Sequence, residues 1–243
     1  MKKILSFLLL VMFMPLSSTA QEYNGLTGML HVPSAEPDSS GTFRGGVAFL
    51  HRKFLPNKYY GTFHTIGYYL ALSPWSWIEL SYACTLLRYK KYGEMVTNED
   101  RHLNMKLLPL REGKWWPALA IGMDDICTRW GDQPDTGGNT NTFFQNIYIA
   151  ACKHIDIKGY ELGCHLAYRY YTSDQNRNRR GLAGGLTLRP AFYKPLRLIV
   201  EWDGAGVNAG VDVMLWRHLF LQTALVHGNG FMGCVSYHCR LPF

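Results

Sequence analysis

A two-residue period, recurring along most of the chain, constrains its fold more than any other feature. Ile66, Tyr68, Leu70 and Leu72 fall on one side of their segment, and Thr65, Gly67 and Tyr69 on the other. Ile78, Leu80, Tyr82, Cys84 and Leu86 alternate with Glu79, Ser81, Ala83 and Thr85. Tyr160, Leu162, Cys164, Leu166, Tyr168 and Tyr170 alternate with Glu161, Gly163, His165, Ala167 and Arg169, and Val207 to Leu215 repeats the pattern with Asn208, Gly210 and Asp212 on its polar side. Alternate side chains of a β-strand point to opposite faces, so each segment has one apolar face and one small or polar face. Apolar residues at helical spacing are almost absent.

Alternation fits a sandwich with its apolar face inward or a membrane barrel with its apolar face outward. Strand length separates the two. Tyr160 to Tyr170 is long for an ordinary sheet strand and close to the roughly 9–11 residues that a tilted strand needs to cross a bilayer. Composition points the same way, with 7 Trp, 15 Tyr, 12 Phe and 24 Gly, as closely paired strands with aromatic girdles require. The chain is therefore read as all-β, an antiparallel transmembrane β-barrel of about 12 strands, with 10 to 14 open. The strands are placed at 43–53, 60–72, 77–88, 100–110, 115–125, 142–154, 159–171, 180–190, 196–203, 206–215, 218–227 and 230–240, with Pro74 and Trp75 breaking the pattern after the second. The polar stretch from Asp132 to Asn141 reads as a long external loop and Ser173 to Asn178 as another. Trp216-Arg217 and His227 to Gly230 read as tight connections.

The first twenty residues carry Lys2 and Lys3, an apolar run from Ile4 to Met14, and small residues at Ser18 and Ala20. This is the layout of a cleavable secretory leader, and a run of this length is short for a bilayer-spanning helix. No cysteine stands near position 21 to carry a lipid anchor. The domain plan is a signal peptide at 1–20, an extended N-terminal segment at 21–42 and a barrel at 43–243. Losing Lys2 and Lys3 lowers the net charge from +7 to +5. Export and the lack of a basic recognition element argue against nucleic acid as a partner. Of the six cysteines, Cys84 and Cys164 read as small lipid-facing side chains. Cys234 and Cys239 would face opposite sides of one strand. The pairing of Cys127, Cys152 and the rest stays open.

Neither catalytic residues, nor cofactor ligands, nor metal ligands are expected. Asp124 and Asp125 are neighbours that would point apart, the histidines form no H-E-x-x-H pattern, and Ser81, Ser173 and Ser236 lie in no G-x-S-x-G context. The charged residues on polar strand faces are the candidate lumenal set: Glu79, Lys106, Glu161, His165, Arg169, Glu201 and Asp212. His165, Glu161 and Arg169 share one strand face, where packing with paired charges accounts for them as well as any chemistry does.

Three pieces of the chain resemble the YjbH-type proteins, outer-membrane proteins of Gram-negative bacteria associated with exopolysaccharide gene clusters. The first runs from Gly25-Leu-Thr-Gly28 through Pro33, Ala35 and Pro37-Asp38 to Gly41, with Ser39-Ser40 inserted before the last glycine. The second is Pro117 to Asp125, and the third Glu201-Trp-Asp203-Gly204 with Val207, Asn208 and Gly210. The resemblance implies an outer-membrane barrel with a role in polysaccharide secretion or surface assembly and no known catalytic site. Outer-membrane lipid, barrel-insertion machinery and polysaccharide or envelope export proteins are then its partners. An aromatic-rich last strand ending at Phe243 would serve as the insertion signal. The segment around Gly25, Gly28 and Pro33 could plug or close the periplasmic mouth or form a surface lead-in strand. Three functions follow: a barrel for exopolysaccharide export or surface biogenesis with a solute-wide lumen lined by Glu161, Arg169 and Lys106; a structural or adhesion barrel that binds through the 131–141 loop; and an exported soluble β-sandwich or lipocalin-like binding protein.

Overall fold

The computed structural model describes residues 21–55, 63–91, 93–126, 143–172 and 174–242. Twelve antiparallel strands among them close into a barrel. They are β1 (Thr42–Leu50), β2 (Thr65–Trp75), β3 (Ile78–Lys91), β4 (Glu94–Leu110), β5 (Ala118–Asp124), β6 (Asn146–Ile157), β7 (Tyr160–Tyr171), β8 (Gly181–Arg189), β9 (Leu196–Trp202), β10 (Val207–Leu215), β11 (Leu219–Val226) and β12 (Gly230–Arg240). Each strand pairs with its sequence neighbours, and β1 pairs with β12 from Thr42↔Arg240 to Phe49↔Gly233, so no edge is left open. Closure excludes the two-sheet sandwich.

The period of two decides which way each side chain points. The outer wall carries Val47, Leu70, Ile149, Leu166, Leu182, Val200 and Val235, all exposed. The inner wall carries small residues such as Gly46, Ala48, Ala83, Ala120, Ala150, Ala167 and Ala183, together with buried charges. Charged and small residues line the inner wall, and large apolar side chains stand exposed on the outer wall.

The two mouths differ. One holds the start of β1, the end of β12 and the connections 76–77, 111–117, 158–159, 190–195 and 216–218, each of seven residues or fewer, and is called the turn mouth; the other, the loop mouth, holds the remaining connections. At the turn mouth, Trp216 and Arg217 both adopt positive φ, 47° and 66°, as the two central residues of a type I′ hairpin turn do. Five exposed tryptophans, Trp75, Trp77, Trp115, Trp116 and Trp216, lie at this end.

Several local expectations are revised. The first strand stops at Leu50 rather than 53, because His51 turns the chain into a short 3-10 helix (Arg52–Phe54) and its side chain accepts from the Lys53 amide. Pro74 does not end β2; the strand absorbs it in an irregularity between Leu72 and Trp75. Trp115 lies in the connection before β5, not in the strand. β3 and β4 outrun their expected ends and pair as far as Lys91↔Glu94, a ribbon projecting past the loop mouth. Both faces of that ribbon meet solvent, so its sequence loses the alternation that marks the wall. Within the stretch from Ser173 to Asn178, expected as an external loop, residues 174–178 belong to a 3-10 turn (Asp174–Arg179). The 132–141 loop, Cys127 and the terminal Phe243 lie outside the described residues.

Candidate functional site: the lumen and its N-terminal plug

The segment from Gln21 to Asp38 sits inside the barrel. Leu26, Met29, Leu30, Val32 and Ala35 are fully enclosed. A tight turn brings Gly28 opposite Pro33, with the Met29 amide donating to the Val32 carbonyl. Small wall residues make the room. A Cβ on Gly185 would stand 2.6 Å from the Met29 side chain, and one on Gly210 3.0 Å from Leu30. Gly25 has φ +93°, which favours glycine, and a Cβ there would strike the Tyr69 ring at 2.6 Å. Wall and segment are thus complementary in shape.

The segment's backbone polar groups must also find partners away from water, and wall charges supply them. Glu201 accepts from three consecutive amides, Leu30, His31 and Val32, at 3.0–3.2 Å, and from the Asn208 side chain at 2.9 Å. Glu79 accepts from the Thr27 amide at 2.8 Å and from its hydroxyl at 2.5 Å. Lys106 pairs with Glu79 at 2.8 Å and donates to the carbonyls of Thr27 and Glu36 at 3.1 and 3.0 Å. Arg44 bridges Glu79 and Asp38 at 3.2 and 2.8 Å. Arg197 pairs with Asp212 at 2.5 Å, reaches Glu36 at 3.5 Å and donates to the Gly28 carbonyl. Arg169 donates to the His31 carbonyl at 2.8 Å and to the Asp203 carbonyl. Burying a charge costs several kcal/mol unless a partner and further hydrogen bonds compensate. Here the compensation comes largely from the plug, so wall and plug each complete the other.

At the loop mouth the plug is covered. Tyr23 stacks on His31 with ring centroids 5.3 Å apart, and Phe54 closes edge-on over His31 at 4.8 Å. Phe144 packs beside Tyr23 with ring centroids 6.1 Å apart, and Phe143 is buried as well. Arg179, on the 174–179 turn, donates to the Lys53 carbonyl and lies 3.7 Å from Asp203. Asp203 accepts from the amides of Ala205 and Gly206 at 2.9 Å, and Gly204 adopts φ +90°, so this hairpin loop is both a turn and a clasp for the lid.

At the turn mouth a cavity of about 860 Å³ opens, lined by Glu36, Glu112, His154, Glu161, Arg189, Tyr193 and Trp216 among others. Here the plug leaves the lumen. Glu36 Oε1 lies 3.2 Å from His154 Nε2, and Glu112 Oε2 lies 2.7 Å from His154 Nδ1. Burial alone would raise Glu36, but the hydrogen bond with His154 and the charges of Arg197, His165 and Arg189 outweigh it and hold the carboxyl well below the usual range. Glu22 shows the opposite case. Burial, and then the nearby charge of Asp124, push its carboxyl well above the usual range, and Oε1 has no partner among the described residues.

The lumenal set from the sequence is brought together, with one outlier. Glu79, Lys106, His165, Arg169, Glu201 and Asp212 are buried in the lumen. Glu161 stands at the turn-mouth rim, 37% exposed and paired with Arg189 at 3.0 Å. These residues grip a plug; they do not line an open passage. The cysteines divide by face: Cys164 is exposed on the outer wall, Cys84 is on the outer side but covered by its neighbours, and Cys152 and Cys234 are buried on the inner side. All five described cysteines are free.

Sequence reading missed Arg44, Arg197, Glu36 and Arg179, and named Asp38 only as part of the N-terminal motif. Arg44 and Arg197 lie on inward positions of their strands, so alternation carried the signal for both. For the plug residues no such period exists. Of the groups weighed for catalysis, Asp124, Asp125, Ser81 and Ser236 are buried, and Ser173 lies outside the described residues. Ser236 lies 2.9 Å from His238, but both contact Gln21 of the plug rather than an acid, and Ser81 accepts from Asn104.

Residues 20–176, well over half of the chain, match the family model described as "Exopolysaccharide biosynthesis protein YbjH". No curated protein matches the chain.

Proposed function

This chain belongs to the YjbH family, and we propose that it is an outer-membrane barrel of a Gram-negative envelope that serves exopolysaccharide export or surface assembly and rests in a plugged, closed state. The observation that carries this reading is the pairing of a continuous exposed apolar wall with a lumen filled by the chain's own N-terminal segment. An apolar surface of this extent is costly in water and is satisfied by lipid. The tryptophans at the turn mouth fit an interfacial girdle, and the connections of seven residues or fewer at the mouth where β1 starts and β12 ends fit a periplasmic end. A leader at 1–20 would bring the chain to that compartment, and barrel-insertion machinery and lipid would be its first partners there.

The plug changes what the barrel can do. A saccharide chain cannot share the lumen with residues 21–38, so passage requires the plug to leave. Without that, the protein acts as a closed scaffold for export partners. No catalytic step is assigned to it.

The test is membrane fractionation of the natively expressed protein, with a gel comparing unheated and boiled samples, followed by planar-bilayer recording. Recovery in the outer membrane, a mobility shift on boiling and a conductance near zero at rest are expected. Recovery as a freely soluble periplasmic protein would overturn the membrane reading and favour a lipocalin-like module. A steady large conductance would overturn the plugged state. Loss of exopolysaccharide on deleting the gene, restored by the intact copy, is the expected cellular outcome.

A further inference from the structure

Beside the turn-mouth cavity, which Glu36 and His154 line, stands a cluster of metal-ligating side chains. Glu36, His154 and His165 come from three different elements: the plug, β6 and β7. Each offers one ligand atom, and the three atoms lie within 4.8 Å of one another. Glu112, Cys152 and His154 form a second such group that shares His154. The histidine is held from both sides, by Glu36 at Nε2 and by Glu112 at Nδ1. Glu112 also accepts from the His154 amide at 2.9 Å, which fixes its carboxylate against the ring.

We propose that Glu36, His154 and His165 bind a divalent transition-metal ion, zinc by the chemistry of the donors, and that the ion ties the plug to the barrel wall. Two imidazoles and one carboxylate, with a fourth position open to water, are a recurrent zinc donor set. The cavity that Glu36 and His154 line leaves room for that water. Glu112 orients His154 through the ring nitrogen that does not bind the ion, an arrangement that fixes the ring and strengthens the ligand. Binding requires each imidazole to present an unprotonated nitrogen, so the ion takes the place of any proton shared between His154 Nε2 and Glu36, and that proton leaves to solvent. Arg197, 3.5 Å from Glu36 Oε2, keeps the other carboxylate oxygen; Arg189, 3.8 Å from Oε1, is the competing cation and must turn back toward Glu161. Ser34 and Thr187 hold the two nitrogens of His165 at 2.9 and 3.0 Å, so one of these bonds is exchanged for the metal.

The site joins wall to plug and so offers a means of retaining or releasing the plug through metal supply from the turn-mouth side. It does not depend on where the barrel resides, so its failure would leave the membrane reading untouched.

The experiment uses the full protein, purified in detergent and shown to be folded by its shift on boiling. Zinc is added, excess is removed by dialysis, and bound metal is measured by elemental analysis. One zinc per chain is expected. H154A and H165A should each lose it, with at least a tenfold drop in affinity, while H218A, at a histidine outside the cluster, retains it. E112Q should weaken binding about 10–100-fold without abolishing it. Cobalt added to the wild-type protein should give the visible absorption bands of a four-coordinate N/O site, which needs no variant to fold. Absence of stoichiometric zinc together with absence of those bands overturns the proposal, as does uptake that survives in both histidine variants.

Discussion

The two mouths of this barrel treat the same plug differently. At the loop mouth the plug tip is under a lid: Tyr23 and His31 lie beneath Phe54, and Arg179 clasps Asp203. At the turn mouth the plug leaves past a cavity of about 860 Å³, where Glu36 and His154 are within reach of solvent. One end excludes water with aromatic rings; the other holds the plug with charges beside water. Disturbing the lid leaves the plug's charged anchors in place, whereas a ligand, ion or partner on the turn side reaches those anchors first. Under the proposed orientation that is the periplasmic side, where export components would meet the protein.

Removing the plug should produce the largest effect and tests whether the lid can seal the barrel alone. Deleting 21–38 while keeping the leader removes the partners of Glu79, Lys106, Arg197 and Glu201 together. The expected result is a marked loss of thermal stability, with conductance rising from near zero in bilayer recordings. A deletion variant as tightly closed as the full protein would show that the lid, not the plug, is the barrier.

Next in size are single anchors against single clasps. Glu201→Ala removes the acceptor for three plug amides. Breaking a fully buried charged network from one side costs about 3–5 kcal/mol, so its melting temperature should fall by several degrees. Arg179→Ala at the lid should cost less, about 1–3 kcal/mol, the scale for leaving a buried hydrogen-bonding partner unsatisfied. Thermal unfolding followed by the gel shift ranks the two. Equal losses would erase the distinction between an anchored plug and a clasped lid.

Legibility in the sequence followed the same physical divide. The wall was readable because alternation is enforced at each position by two different surroundings, apolar outside and lumenal inside. Glu79, Lys106, Arg169 and Asp212 were found as mid-strand charges on the inner side, and the same rule could have found Arg44 and Arg197. The plug has no period. Its conformation is set by Tyr69 against Gly25, by Met29 against Gly185 and by Glu201 under three amides, all contacts between residues far apart in sequence. Motif glycines and prolines marked the segment as conformationally special without saying whether it lay inside the barrel or on its surface. The β3–β4 ribbon was under-read for the converse reason: paired strands with solvent on both sides need not alternate.

The smallest effect expected, and the most discriminating, separates two plug carboxylates by pH. Glu36 is held below the ordinary carboxylate range, so its contribution to stability is full above its unfolded value, near 4.5, and is lost gradually below that, disappearing only as pH falls through the much lower folded value. Glu22 is held above that range, so the folded state gains from its protonation. That contribution is full at low pH and disappears as pH rises through the folded value. Glu36→Gln should therefore lower the melting temperature at pH 7, and that penalty should begin to shrink only below about pH 4.5 and still be large at pH 4. Glu22→Gln, which mimics the protonated form, should raise the melting temperature at pH 7 by a degree or two and approach the wild type in acid. The measurement is the difference in melting temperature between each variant and the wild type across this range. Curves of the same sign for both variants would mean that the turn-mouth cavity gives Glu36 no electrostatic advantage over the enclosed Glu22, and the contrast between the open end and the interior of the plug would fail at its most sensitive point.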